Sequence, residues 1–259
     1  MLRLTPHLIA LLMVTLATGA AHAADEEIEI YTDSVNAKHE FGLDVHMNYV
    51  ARGDAGTDYA GGEPSLHRIR ITPEFTFGLG NGLEVGAYLP LATIANDGVL
   101  RAQGEIVRLK WIAPHRDGEG FFWGGNFEIG RASARLDQNP WNAEIKGIAG
   151  LHKGPWIVAL NANFNFKVDG PEPAPATITI LSKVQYRLSP KWAVGIENYN
   201  GLGEVKALGP LRDQDHASYV TVDTKVAKWH LHTGIGVGYG GNKDALIFKL
   251  GIGVPLPQL

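Results

Sequence analysis

The sequence predicts an all-β chain, an antiparallel up-and-down transmembrane β-barrel of about 12 strands, an even number as bacterial barrels have. Three observations predict it. A long hairpin over 68–91 is apolar on one face and charged on the other. Further alternating stretches follow, joined by connections that are short at one end and mostly long at the other. An export-type N-terminus precedes them, and no later stretch is long and apolar enough to cross a bilayer as a helix.

The hairpin is the clearest element. Ile69, Ile71, Phe75, Phe77 and Leu79 alternate with Arg68, Arg70, Thr72, Glu74 and Thr76. Strand side chains point to opposite faces with a period of two, so the two sets separate. Asn81-Gly82 accepts the positive φ of a tight turn. Leu83, Val85, Ala87, Leu89 and Leu91 then mark the apolar face of the second arm. Both arms exceed the usual strand of roughly five or six residues.

The N-terminus comes first along the chain. Arg3, the apolar run Leu8–Leu16 and Ala21-His22-Ala23 read as a signal peptide over 1–23, cleaved after Ala23. Residues 24–38 are polar and acidic and read as a periplasmic lead-in, and 39–259 as the barrel. Strand one carries Phe41, Leu43, Val45, Met47 and Tyr49 opposite Glu40, Asp44 and His46. After the hairpin, strand four sets Val107, Leu109 and Trp111 against Arg108 and Lys110. Residues 114–120 read as a turn, and strand five sets Phe127 and Ile129 against Asn126 and Glu128. Strand six opposes Ile145 and Leu151 to Glu144 and Lys146.

Strand seven alternates Trp156, Val158, Leu160, Phe164 and Phe166 with Asn161, Asn163 and Asn165. Amides so spaced would each need a partner in a dry core, whereas a wet lumen solvates them. Strand eight places Lys183 and Arg187 on the polar face, and strand nine Glu197. Residues 201–216 read as the longest loop. Strand ten carries Asp223 and Lys225 inward, strand eleven His230 and His232, and the last strand Lys249. Trp111, Trp156, Tyr186, Trp192 and Trp229 lie near short turns, with Tyr49, Phe164, Phe166 and Tyr239 near the other ends, as interfacial girdles do.

The expected functional surface is the lumen. Its candidates are Glu40, Asp44, His46, Arg68, Arg70, Glu74, Arg108, Lys110, Glu128, Glu144, Lys146, Asn161, Asn163, Asn165, Lys183, Arg187, Glu197, Asp223, Lys225 and Lys249. Mixed signs on neighbouring strands would set a field that selects small polar or charged solutes. Arg68, Arg70, Arg108 and Lys110 could form a basic ladder for an anion. Against this stands the alternative that the charges pair and close the lumen.

Other chemistry is weakly marked. With no cysteine there is no thiolate nucleophile or thiolate metal site. The 23 Lys+Arg against 27 Asp+Glu give no basic footprint for nucleic acid. His230, His232 and Asp223 are weak metal candidates, because spacing alone does not set a coordination geometry. His216 and Ser218 are considered as a catalytic pair and set aside. No enzyme activity and no cofactor are expected. A closed-lumen structural or lipid-acting barrel of lipase or deacylase type is the runner-up.

Two resemblances add to this. Lys249, Gly251, Val254 and Leu256 fit, in order, the C-terminal pattern read by the barrel-assembly machinery, with leucine in place of the terminal aromatic residue. More broadly, Gly82-Leu83-Glu84-Val85-Gly86, Tyr88-Leu89-Pro90 and Tyr186-Arg187-Leu188-Ser189-Pro190-Lys191-Trp192 resemble proteobacterial outer-membrane proteins grouped with transporters of the phenol-degradation meta-pathway type. The resemblance implies a Gram-negative outer membrane, contact with its lipid and a passive uptake role for small molecules. It carries over no binding residue.

Overall fold

The computed structural model describes residues 28–115, 118–171 and 175–256. The expected signal peptide over 1–23 lies outside the described residues. The chain forms β1 (Phe41–Arg52), β2 (Ile69–Gly80), β3 (Leu83–Ile94), β4 (Leu100–Ile112), β5 (Gly120–Ala132), β6 (Trp141–Lys153) and β7 (Trp156–Asp169). There follow β8 (Thr177–Ser189), β9 (Trp192–Glu204), the two-residue β10 (Ala207–Leu208), β11 (Asp215–Val226), β12 (Trp229–Gly240) and β13 (Leu246–Gly253). Twelve of these close into one antiparallel barrel, each pairing with its neighbour in chain order apart from β9 with β11 and β13 with β1. The small β10 folds back on β9 as an extra strand. Closure leaves the twelve-stranded wall with no open sheet edge, the condition for standing in hydrocarbon.

Strand faces separate as the alternation requires. On β7, Trp156, Val158, Leu160 and Phe164 are exposed while Asn161 and Asn163 are buried. The same exposed apolar face continues through Phe75, Val107, Phe127, Ile145, Ile196, Val220 and Ile235. Leaving such a continuous apolar surface open to water would be costly, so it faces lipid. At the 81–82 turn, Asn81 has φ 54° and Gly82 φ 77°. A side chain on Gly82 would also strike the Ile112 carbonyl at 2.0 Å.

Three departures from the sequence reading have physical causes. First, β5 starts at Gly120, inside the expected 114–120 turn, and its first turn of alternation exposes Phe121 and Trp123 and buries Phe122. Second, the stretch 201–216 is largely ordered. β9 continues to Glu204 because Gly201 pairs with both Asp215 and Thr179, and β11 begins at Asp215. The glycines there mark close pairing rather than a loop.

Third, the interior is not wet throughout. Ile112, Phe122, Ile148, Ala159 and Leu181 point inward and form a buried apolar cluster. They are covered from inside by Ile30 and Tyr31, with Val35 packed alongside. Thus the stretch read as a lead-in outside the barrel runs, over its described part 28–38, within the lumen. Ile28 packs on a second internal cluster of Ala217, Tyr219 and Ile247.

Candidate functional site

The chain enters the lumen at the end where the turns are short. From β1 it reverses tightly at 37–40, where the Glu40 amide donates to the Ala37 carbonyl at 3.0 Å and the His39 amide to the Gly78 carbonyl at 2.8 Å. His39 adopts φ 67°, a left-handed conformation that a reversal of this kind demands. The inner segment is then fastened residue by residue. The Asn36 amide donates to Glu84 at 2.7 Å and its side chain to Thr76 at 2.6 Å. The Ser34 carbonyl accepts from Lys110 at 2.7 Å.

Tyr31 is the deepest anchor. Its backbone amide donates to Asn161 Oδ1 at 2.7 Å, and its carbonyl accepts from Asn161 Nδ2 at 3.0 Å. One side-chain amide therefore replaces a missing strand partner. The Tyr31 hydroxyl meets Tyr88 at 2.5 Å and donates to Glu128 at 3.3 Å. Lys146 lies 3.8 Å and Lys110 4.5 Å from the Tyr31 ring centre, a cation–π arrangement in a poorly hydrated space. Further in, the Ile28 carbonyl accepts from Lys249 at 3.0 Å.

Two buried charge clusters flank the segment. In one, Arg108 binds Glu74 and also Glu84 at 2.8 Å, and His46 lies 3.0 Å from Glu74 and 3.6 Å from Glu29 of the segment. In the other, fully buried Glu197 is met by Lys249, by Lys183 at 3.2 Å and by the Tyr199 hydroxyl at 2.8 Å. Mutual pairing makes these clusters tolerable in a low-dielectric interior, where an unpaired charge would not persist.

The remaining expected lumen residues are placed as follows. Glu144 accepts from Asn163 at 2.8 Å and lies 3.3 Å from Lys146. Asn165 is partly buried on the Asn161 face. Arg68 and Arg70 are buried near the loop end, and Arg68 donates to the Glu63 carbonyl at 3.2 Å. Glu40, Asp44, Arg187 and Lys225 border a cavity of about 1060 Å³ that lies beside the segment toward the turn end. The cavity also touches Glu29, His230 and His232, and its outer wall comes mainly from β8, β9, β11, β12, β13 and β1, with His152 of β6 and Ile157 of β7 at its edge.

The structure does not assemble the proposed basic ladder. Arg68 and Arg70 stand at the loop end, Arg108 and Lys110 stand toward the turn end, and Arg108 is neutralised by Glu74 and Glu84. The metal candidates also do not converge. His232 Nδ1 is 2.9 Å from Asp223, as the tight 227–228 turn requires, but His230 is exposed. Among the described residues no group of three or more suitable side chains is arranged to hold a metal ion. His216 contacts Asn200 and the Leu211 carbonyl, while Ser218 donates to Asn198 at 2.8 Å, so the two are not paired.

Sequence reasoning missed Glu29, Tyr31, Asp33, Asn36, Glu84, His115 and His152. Parity along β3 marks Glu84 as inward, opposite exposed Val85. For the segment, the signal was Ile28, Ile30 and Tyr31 set among acids, apolar residues that an extended solvated leader has no use for.

At the loop end, connections are tied to one another. The Glu63 amide donates to the Arg135 carbonyl at 2.7 Å, Gln103 donates to Glu63 at 3.1 Å, and Ser65 bonds Asp244.

The fold and interior define a twelve-stranded closed barrel whose lumen is occupied by its own N-terminal segment. No protein-family model and no curated protein sequence matches the chain. Solved structures do. The chain is similar to the KdgM porin at 14% identity and TM-score 0.55, over 83% of this chain and 99% of that one. It is similar to the NanC porin at 8% identity and TM-score 0.56, over 83% and 100%. It is also similar to the COG4313 outer membrane channel from Pseudomonas putida F1 at 12% identity and TM-score 0.55, over 85% and 96%. At such identities the likeness shows the fold.

Proposed function

We propose that the protein is an outer-membrane channel for small polar or charged solutes in a Gram-negative bacterium, with residues 28–38 as a displaceable inner gate. The carrying observation is the cavity of about 1060 Å³ between that segment and the β8–β13 wall, lined by charges of both signs. Solutes enter or leave along this wall, where Lys225, Arg187 and Asp44 face the space. The porins and the channel that share the fold support the reading.

In this reading the short turns face the periplasm and the tied loops face outward, the usual asymmetry of such barrels. Cleavage after Ala23 would leave the segment free to enter the lumen from the periplasmic side. The exposed apolar face contacts lipid, and β13 with Val254 and Leu256 would present the assembly signal. Kinship with the phenol-degradation meta-pathway type rests on the strand rhythm and adds no solute.

Planar-bilayer recording tests the proposal. Discrete conductance steps that become more frequent when the segment is loosened are expected. Silence in the intact protein and in every loosened variant would favour the closed, structural or lipid-acting barrel.

A further inference from the structure

At the turn-end mouth, one carboxylate of the inner segment is held by two histidines of the wall. Asp33 Oδ2 lies 2.7 Å from His115 Nε2, and both Asp33 oxygens lie 2.9 Å from His152 Nε2. His115 stands in the β4–β5 connection and His152 near the end of β6, so two separate wall elements grip one side chain. The Phe122 ring packs against both, 6.1 Å from His115 and 5.3 Å from His152.

The proton count at His115 is informative. Its Nδ1 is 3.1 Å from the Ala113 carbonyl, which can only accept. Its Nε2 faces Asp33, and an ionised carboxylate also only accepts. Both contacts are hydrogen bonds at once only when His115 carries both ring protons. Burial alone would raise the Asp33 carboxyl, but the His152 and His115 bonds outweigh it and hold the group below the ordinary carboxylate range.

We propose that Asp33, His115 and His152 form a pH-sensitive latch that holds the inner segment in the lumen and releases it as the medium turns from mildly acidic to alkaline. The proposal rests on the channel reading above and adds its regulation. Histidine is the side chain whose unperturbed titration falls in this range. Latching takes up a proton at His115 wherever the free imidazole is neutral. The latch is therefore at full strength below the free histidine value of about 6.5 and weakens above it. One linked proton changes the released-to-latched ratio by at most about tenfold per pH unit.

Other charged groups also hold the segment. Lys110 binds Ser34, Glu84 binds Asn36, and His46 faces Glu29. Removing only His115 and His152 leaves these contacts in place and isolates the latch.

The test uses the full chain refolded into liposomes and planar bilayers, wild type beside His115→Gln/His152→Gln. Because the chain has no cysteine, Thr32→Cys in each background carries a single nitroxide label on the segment. In wild type, the mobile label fraction and the open fraction should both rise from about pH 5.5 to about pH 8.5. In the double variant, both should already be at least about tenfold higher at the acid end. Label and conductance within about twofold of wild type at every pH would overturn the latch. Label release without any conductance would keep the latch and overturn the channel reading. If the double variant fails to show heat-modifiable migration, the single variants His115→Gln and His152→Gln carry the same comparison.

Discussion

Asn161→Leu isolates the deepest anchor of the inner segment. Asn161 is completely buried, yet among the described residues its side chain bonds no strand neighbour in the wall. It spends its amide on the N–H and C=O of Tyr31, at 2.7 and 3.0 Å. Leucine keeps the same number of heavy atoms branched at Cγ and leaves the β7 ladder intact, so the barrel itself should fold. Two hydrogen bonds are lost, each worth about 0.5–1.5 kcal/mol net, and leaving the Tyr31 backbone groups unsatisfied adds to that. Docking of the segment should weaken by about 2–4 kcal/mol. That is a rise of about thirty- to several-hundred-fold in the undocked population. Single-channel recording and the mobility of a label at position 32 both read it, with outward-facing Val158→Ala as control. Open time and label mobility within about twofold of wild type would refute the claim that Tyr31 docking closes the lumen.

Three further outcomes are expected. Leu160→Arg, one residue along on the exposed face, should cost about 2–4 kcal/mol of folding stability in a bilayer. Denaturant titration in liposomes checks it, with inward Asn163→Arg as the comparison. Arg108→Met should lower the thermal transition strongly, because Glu74 and Glu84 are then left buried without their cation, a loss of about 3–5 kcal/mol. Acid should also release the segment. The docked Asp33 carboxyl is depressed, so its contribution is present above the ordinary value of about 3.9 and is lost only as pH falls through the lower docked value. Label mobility at position 32 should therefore stay low through that ordinary range and rise below it, and Asp33→Asn should abolish that acid-side step.

The wall was legible because a period of two is a local property. Wherever one face is apolar and the other polar, as on β2 or β7, a single strand shows its orientation without its neighbours. The turns with Asn81-Gly82 and 227–228 were legible for the same reason, since turn chemistry sits in two residues. What failed was non-local. Phe122, Ile148 and Leu181 break the inward-polar rule, and the break makes sense only once Ile30 and Tyr31 lie against them. No pattern within β5, β6 or β8 reveals that a segment far along the chain covers their inner face. The inward charges were identified by type, but their pairing depends on which strands meet across the lumen. Arg108 thus read as a rung of a ladder, where the structure uses it to neutralise two carboxylates.

The same distinction bears on how the proposed gate would move. Among the described residues the segment's backbone joins the wall's backbone at the reversal at 37–40, whose amides are committed to Ala37 and Gly78. Its polar contacts inside the lumen run to side chains, with Asn161 standing in for a strand partner, and among the described residues 28–38 no residue is assigned to a barrel strand. Unlike a strand, it can leave without opening the sheet. The reversal lies at the turn end and the latch lies beside the same mouth, so release begins where solvent already reaches. The cavity of about 1060 Å³ adjoins the segment toward the turn end, which gives the first displaced residues somewhere to go. Movement toward the turn end separates Asp33 from His115 and His152 before Tyr31 must give up Asn161. In the proposed latch the titratable contact at the mouth would therefore control access to the buried one. If a short bis-maleimide cross-link between Asp33→Cys and His152→Cys left the conductance unchanged, the segment would not be the gate; the expected result is a channel locked shut.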